Sequence, residues 1–182
     1  ALRAIINLFY ICFYRYVLKK DFMIKRIHNY KMKLPIDEEG IKGIATPLLL
    51  YGVREEDQLL IINEDLQRGM TVLDIGANIG YYTLLLESLV GVEGKVYAIE
   101  PSSENINLLT ENIKLNNKED IIEVFHAAVS DKVGSKMLRI SEHANSHSFF
   151  DNALHPRFTA NSREPIVEKV DTIDVDTFVE NK

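Results

Sequence analysis

Two acids and two glycines stand close together in the stretches "LDIGANIGYYT" and "AIEPSSEN". Asp74 lies just before Gly76, Gly80 follows, and Glu100 comes twenty residues after Gly80. An apolar run of Val72, Leu73 and Ile75 precedes the first glycine, and Tyr81, Leu84, Leu85 and Leu89 recur at helical spacing after the second. A strand that becomes a helix through two glycines brings its backbone close to a ligand, because a β-carbon there would collide with it. Asn78 suits the same turn, since asparagine tolerates left-handed backbone.

Three nucleotide chemistries use such turns, and the flanking residues separate them. A phosphate-binding P-loop needs a lysine after its last glycine, where this chain has Tyr81 and Tyr82, which argues against an NTPase. A dinucleotide fingerprint needs a middle glycine for close approach to a pyrophosphate. Its absence weakens a nicotinamide-dependent oxidoreductase and leaves it as the alternative. The third chemistry is S-adenosylmethionine, which has no phosphate. Its amino-acid end fits over the glycine turn, with backbone N–H groups and the helix N-terminus facing its carboxylate. Asp74 is then placed to meet the ammonium, directly or through water, and Glu100 to accept both ribose hydroxyls. Either acid alone reads equally well as a solvated strand-end carboxylate; two of them around one turn favour a site.

The elements that must position these residues alternate. From Thr71 the spacing predicts a strand to Ile75, a helix from Tyr81 to Val90, a strand from Lys95 to Ile99, a helix from Ser103 to Leu115 and a strand from Ile121 to Phe125. Ser102 or Ser103 caps the second helix, Glu104 suits its positive end, and Asn116-Asn117 closes it. Alternation with short connections means an α/β fold with a parallel, doubly wound sheet, whose ligands sit beyond the carboxyl ends of the strands. Before this core, residues 2–18 read as a helix with Leu2, Ile5, Ile6, Phe9, Phe13 and Val17 on one stripe. "YKMKLPI" then alternates like a strand, and "EEDQLLIINEDL" reads as a helix ending near Gly69. After Asp131 come a strand from Lys136 to Ile140, a polar loop, "IVEKVDTI", and a terminal "DVDTFVENK" that looks like a helix just beginning or just finished.

The stretch "VLDIGANIGYYTLLLESLVGVEGKVYAIEPSSENINLLTENIKLNN", with "AAVSD" and a late "VDTIDVDTF", closely resembles the FkbM family of S-adenosylmethionine-dependent methyltransferases. The resemblance covers about Tyr51 to Glu180. It implies a Rossmann-like class I methyltransferase fold and O-methylation of a hydroxyl on a sugar or secondary metabolite, hence a small-molecule or glycan acceptor. It further implies that Asp74, Gly76, Ala77, Asn78 and Gly80 surround the methionine part of the cofactor and Glu100 holds the ribose. Pro101 and Ser102 would flank the adenosine, and Ala127 to Val129, centred on Ala128, would border the adenine. The family pattern continues with a strand bearing an Asp and a following Glu, which this chain lacks before Lys182. The expectation is therefore a fold truncated before its later strands, with residues 1–50 as a lead-in and 51–182 as the N-terminal part of the methyltransferase domain. A fragment that binds cofactor without turnover remains the other alternative.

No catalytic residue is identified. His143 and His147 in the polar loop are the visible candidates for a general base, though a loop histidine is usually only solvated. Tyr81, Tyr82, Phe149 and Phe150 read as packing residues. No His, Asp and Glu cluster has metal-ligand spacing, and no metal is expected.

The 182 residues, 46% of them hydrophobic, suffice for one globular unit. Cys12 is the sole cysteine, which rules out an internal disulfide and points to a cytoplasmic setting. The net charge of −6 hides an asymmetry: residues 1–33 carry eight Lys or Arg against Asp21 alone, and the remainder thirteen against twenty-six acids. By bulk charge the acidic body argues against a nucleic-acid partner. The apolar run from Ala4 to Tyr14 is too short to span a bilayer, which needs about 20 residues. Its stripe, flanked by basic residues, suits peripheral contact of residues 1–33 with anionic lipid, or else docking on the domain or a second subunit.

Overall fold

The computed structural model describes residues 2–36, 44–140 and 166–182. His143, His147, Phe149 and Phe150 lie outside the described residues. The chain opens with helix α1 (Leu2–Cys12), which runs into one π-helical turn (Phe13–Val17). The helical period is as the sequence predicts, but the face that docks is not the apolar stripe. Ala4, Asn7, Ile11 and Tyr14 are the residues turned inward, and Ile11 is only 3% exposed. Helix α2 (Ala45–Leu50) receives this face, and Asn7 Nδ2 donates to the Leu50 carbonyl at 2.7 Å. An amide that satisfies a helix-terminal carbonyl fixes the docking angle more firmly than side chains that only fill space.

Strands β1 (Phe22–Ile27) and β2 (Tyr30–Pro35) form an antiparallel hairpin, with Phe22 opposite Pro35 and Ile27 opposite Tyr30. Period-two alternation sends Met23, Ile27, Tyr30, Met32 and Leu34 into the core;. Helix α3 (Glu56–Asp65) follows. The alternating core then runs β3 (Thr71–Ile75), α4 (Tyr81–Val90), β4 (Lys95–Glu100), α5 (Ser103–Leu115) and β5 (Ile122–His126). Strands β3, β4 and β5 pair in that order and are parallel, with Asp74 level with Ala98 and Ala98 level with Val124. β3 lies at one edge of this sheet.

A second sheet follows: β6 (Ala128–Val129), β7 (Gly134–Ile140) and β8 (Ile166–Ile173), ordered β6-β8-β7, with β6 parallel and β7 antiparallel to β8. Helix α6 (Val175–Glu180) starts at Asp174, whose carboxylate accepts from the Asp176 amide at 2.9 Å. Its Phe178 ring packs edge-on against Phe125 and Tyr97, at centroid distances of 4.9 and 5.7 Å, so the C-terminal helix covers β4 and β5. One buried cluster joins Ile11, Met32 and Leu48 to Leu84, Val96 and Leu109. The N-terminal elements and the parallel sheet therefore share a core.

Candidate functional site

The turn between β3 and α4 is built around two positive backbone angles at its ends. Gly76 has φ +79°, and the space where its β-carbon would stand holds no atom within 4 Å. Gly80 has φ +92°, where a β-carbon would meet Leu109 Cδ1 at 2.7 Å. The first glycine keeps a space open and the second lets α5 pack close. Asn78 also has φ +50°, and its Oδ1 accepts from the Ile79 amide at 2.9 Å. Ile79 is 1% exposed and anchors the turn in the core.

Most of the turn's own N–H groups are used internally. Those of Gly76 and Ala77 both donate to the Ile99 carbonyl, at 2.9 and 3.0 Å, and that of Gly80 to Ala77 at 2.9 Å. Helix α4 starts at Gly80 as its N-cap, with no side-chain cap. A helix start without a cap leaves N–H groups and the positive end of the helix dipole facing the site.

The two acids meet over this turn. Glu100 is 4% exposed, and three N–H donors hold its carboxylate. Ser102 N and Asn105 Nδ2 donate to Oε1, each at 3.0 Å, and Asn78 N donates to Oε2 at 2.9 Å. Two donors fill the lone pairs of Oε1, and Oε2 keeps an acceptor position. Asp74 Oδ2 accepts from Thr83 Oγ1 at 2.6 Å. Burial pushes the Asp74 carboxyl up from its ordinary value, the Thr83 hydrogen bond pulls it back, and the nearby Glu100 charge raises it again. A buried and a half-buried carboxylate with no described cation between them favour a positive ligand.

The neighbouring residues divide into those at the site and those that support it. Ser102 caps α5, its Oγ accepting from the Asn105 amide at 3.5 Å. The Pro101 carbonyl lies 2.9 Å from His126 Nε2. A carbonyl only accepts, so that nitrogen carries the proton. Ala128 packs with Leu138 and Val170 in a small separate core, so what it offers a ligand comes from its main chain. Tyr81 is 2% exposed, with its hydroxyl donating to the Arg54 carbonyl at 3.1 Å. Tyr82 bonds Glu55 Oε2 at 2.6 Å; burial, then the Glu55 hydrogen bond, raises its phenol. Both tyrosines tie α4 to the segment before α3. Thr83, Asn105 and His126 escaped the sequence reading. Thr83 lies one turn into a helix that reads as apolar, and His126 is visible only once the strand is seen to end there.

This arrangement has the form of a cofactor site of the S-adenosylmethionine-dependent methyltransferase class. The open space at Gly76, the uncapped start of α4 and the paired acids fit a ligand with a carboxylate, an ammonium, a sulfonium and a ribose. The sequence model of the TRM5/TYW2 methyltransferase domain matches residues 41–157, and the chain belongs to that family. The match does not show the FkbM family, although the resemblance rests on the same stretch. The reason is chemical: the turn and the strand-end acid answer to the cofactor, which methyltransferases of many acceptors share.

Among curated relatives, the protein-L-isoaspartate O-methyltransferase of Aeropyrum pernix is 36% identical over 106 residues, covering 58% of this chain and 36% of that protein. The 23S rRNA (uracil(1939)-C(5))-methyltransferase RlmD of Acinetobacter baumannii is 40% identical over 52 residues, 29% of this chain and 11% of that protein. The solved structure of P. horikoshii TYW2 with MeSAdo is 22% identical with a TM-score of 0.46, over 59% of this chain and 36% of that one. The chain thus spans about a third or less of the length of these proteins. The expected exclusion of nucleic acid is corrected by the RlmD relative and the TRM5/TYW2 match. A sum of charges over an acidic body and a basic arm says nothing about where a polyanion contacts the molecule.

Proposed function

We propose that this chain holds S-adenosylmethionine for methyl transfer to an oxygen acceptor. The observation that carries the donor half is Glu100, buried at the end of the second parallel strand and oriented by three N–H donors. In this reading Oε2 takes one ribose hydroxyl directly, fewer than the two the sequence predicts. Asp74 faces the ammonium, and the first turn of α4 receives the carboxylate. Bound cofactor supplies a methyl on a cationic sulfonium, transferred in line. The chain's contribution is orientation, which can lower such a barrier by up to about 7 to 11 kcal/mol. Support for an oxygen acceptor comes from the resemblance to FkbM enzymes, which act on hydroxyls of sugars and secondary metabolites, and from the Aeropyrum relative, an O-methyltransferase.

A second reading takes RNA as the acceptor and is supported by the family match and by RlmD. Titration calorimetry with S-adenosylmethionine and with NAD tests the donor half. Binding of the former alone is expected, weakened roughly ten- to hundredfold in Glu100→Ala, since hydrogen bonds to a charged group contribute about 1.5 to 3 kcal/mol. Unchanged affinity would remove Glu100 from the ribose. Transfer of a radiolabelled methyl group to a glycan or hydroxylated metabolite pool, against bulk tRNA and rRNA, separates the two acceptor readings.

A further inference from the structure

The apolar stripe of α1 is the largest feature that the cofactor site does not use. Docking on α2 consumes Ala4, Asn7, Ile11 and Tyr14 and leaves Leu2, Ile5, Ile6, Phe9, Phe13 and Val17 facing outward, from 42% exposed at Phe13 to 74% at Phe9. Six large apolar side chains along one face exceed the scattered exposure ordinary for a soluble surface and mark an interaction site. The helix is held by its inner face, and the outer one stays exposed among the described residues.

The charges around this stripe select the partner. Arg3 stands exposed at one end and Lys19 and Lys20 at the other; Arg15 pairs with Asp21. A second copy laid on this face would bring Arg3 against Lys19 and Lys20 if antiparallel, and each charge against its own kind if parallel. Both arrangements repel. RNA would suit the cations and the aromatics but gains nothing from Leu2, Ile5, Ile6 and Val17. An anionic lipid surface satisfies both halves, taking the apolar chains among its acyl tails and the cations at its headgroups. At 11 residues α1 is about 16 Å long;, and no described helix is long and apolar enough to cross a membrane. It would therefore lie in the plane of the surface.

We infer that the outer face of α1 is a docking surface for anionic phospholipid, which holds the cofactor-binding domain against a membrane. The test is co-sedimentation of the 182-residue chain with phosphatidylcholine vesicles, with and without about a third phosphatidylserine. At least tenfold stronger binding to the anionic vesicles is expected, weakening as salt rises. The double variant Ile5→Ser with Phe9→Ser should lose vesicle binding at an unchanged melting temperature, because both residues are exposed. Lys19→Ala with Lys20→Ala should reduce only the preference for anionic lipid. No binding to either vesicle, or undiminished binding by the serine variant, would overturn the inference. So would a dimer abolished by the serine variant in a chain that ignores vesicles, or capture of bulk tRNA in place of lipid.

Discussion

At the scale of single residues, the site opposes stability to binding. Burial raises the Asp74 carboxyl, and the Glu100 charge raises it further. A carboxyl raised above its unfolded value binds its proton more tightly in the folded chain. Its contribution to stability is present at low pH and is lost as pH rises through the folded value. Ionised Asp74 is therefore a local cost at neutral pH, tolerated because a cationic ligand would offset it. Asp74→Asn keeps an oxygen for the Thr83 hydroxyl and removes the charge. It is expected to raise the neutral-pH melting temperature while weakening S-adenosylmethionine binding roughly ten- to hundredfold, as calorimetry would measure. A variant less stable than the parent would show that Asp74 is compensated by something other than a ligand. The same linkage makes cofactor affinity rise with pH through the raised Asp74 value, with proton release on binding. Titrations at mildly acidic pH in two buffers of different ionisation heat would detect it.

At the scale of elements, helix α5 treats the hairpin as another strand would. Asn112 Oδ1 accepts from Lys33 N at 2.6 Å and its Nδ2 donates to Lys33 O at 3.3 Å. One turn on, Asn116 does the same for Lys31, at 2.9 and 2.7 Å. Four helical residues rise about 6 Å and two strand residues about 6.6 Å, so two side-chain amides match alternate peptides along the β2 edge. Asn112 also donates to the Ile79 carbonyl at 2.9 Å, linking that edge to the cofactor turn. Asn112→Leu is expected to cost about 1 to 3 kcal/mol of stability in denaturant titration and to weaken cofactor binding, and Asn116→Ala to cost less because that pair is exposed. Equal losses would mean the link to Ile79 contributes nothing. None of this ladder is legible in the sequence, where Asn116 reads as the close of the helix and Asn112 carries no signal of its own. What is legible has strong local signals. The change of period at Gly76 and the cap at Ser102 place β3, α4, β4 and α5 to within a residue. Strand β1 was missed because Lys25 and Arg26 interrupt its alternation, and α2 because Pro47 hides a helix of six residues. The helical period of α1 was readable but its docking face was not, because the inward residues Ala4, Asn7, Ile11 and Tyr14 lie opposite the more apolar stripe and include a polar amide.

At the scale of the whole molecule, the strand that carries the glycine turn is an edge with no fully buried residue. β3 pairs only with β4 among the described residues, and Ile75 is 53% exposed. The Gly76 amide bonds to Ile99 of β4, and in a parallel ladder alternate residues point the same way. Asp74 and Val72 therefore direct their amides to β4, and Leu73 and Ile75 direct theirs to the open edge. An uncovered edge without proline, lysine or bulge recruits another strand, and "TVLDI" has none of these. Hydrogen exchange of the Ile5→Ser, Phe9→Ser variant, which removes the competing apolar face of α1, isolates this edge. The Leu73 and Ile75 amides are expected to exchange quickly in dilute solution and to become protected as protein concentration rises, while Asp74 and Val72 stay protected throughout. Protection of all four at every concentration would mean that the strand is already covered in the monomer, and the turn would then hang from the interior of the sheet.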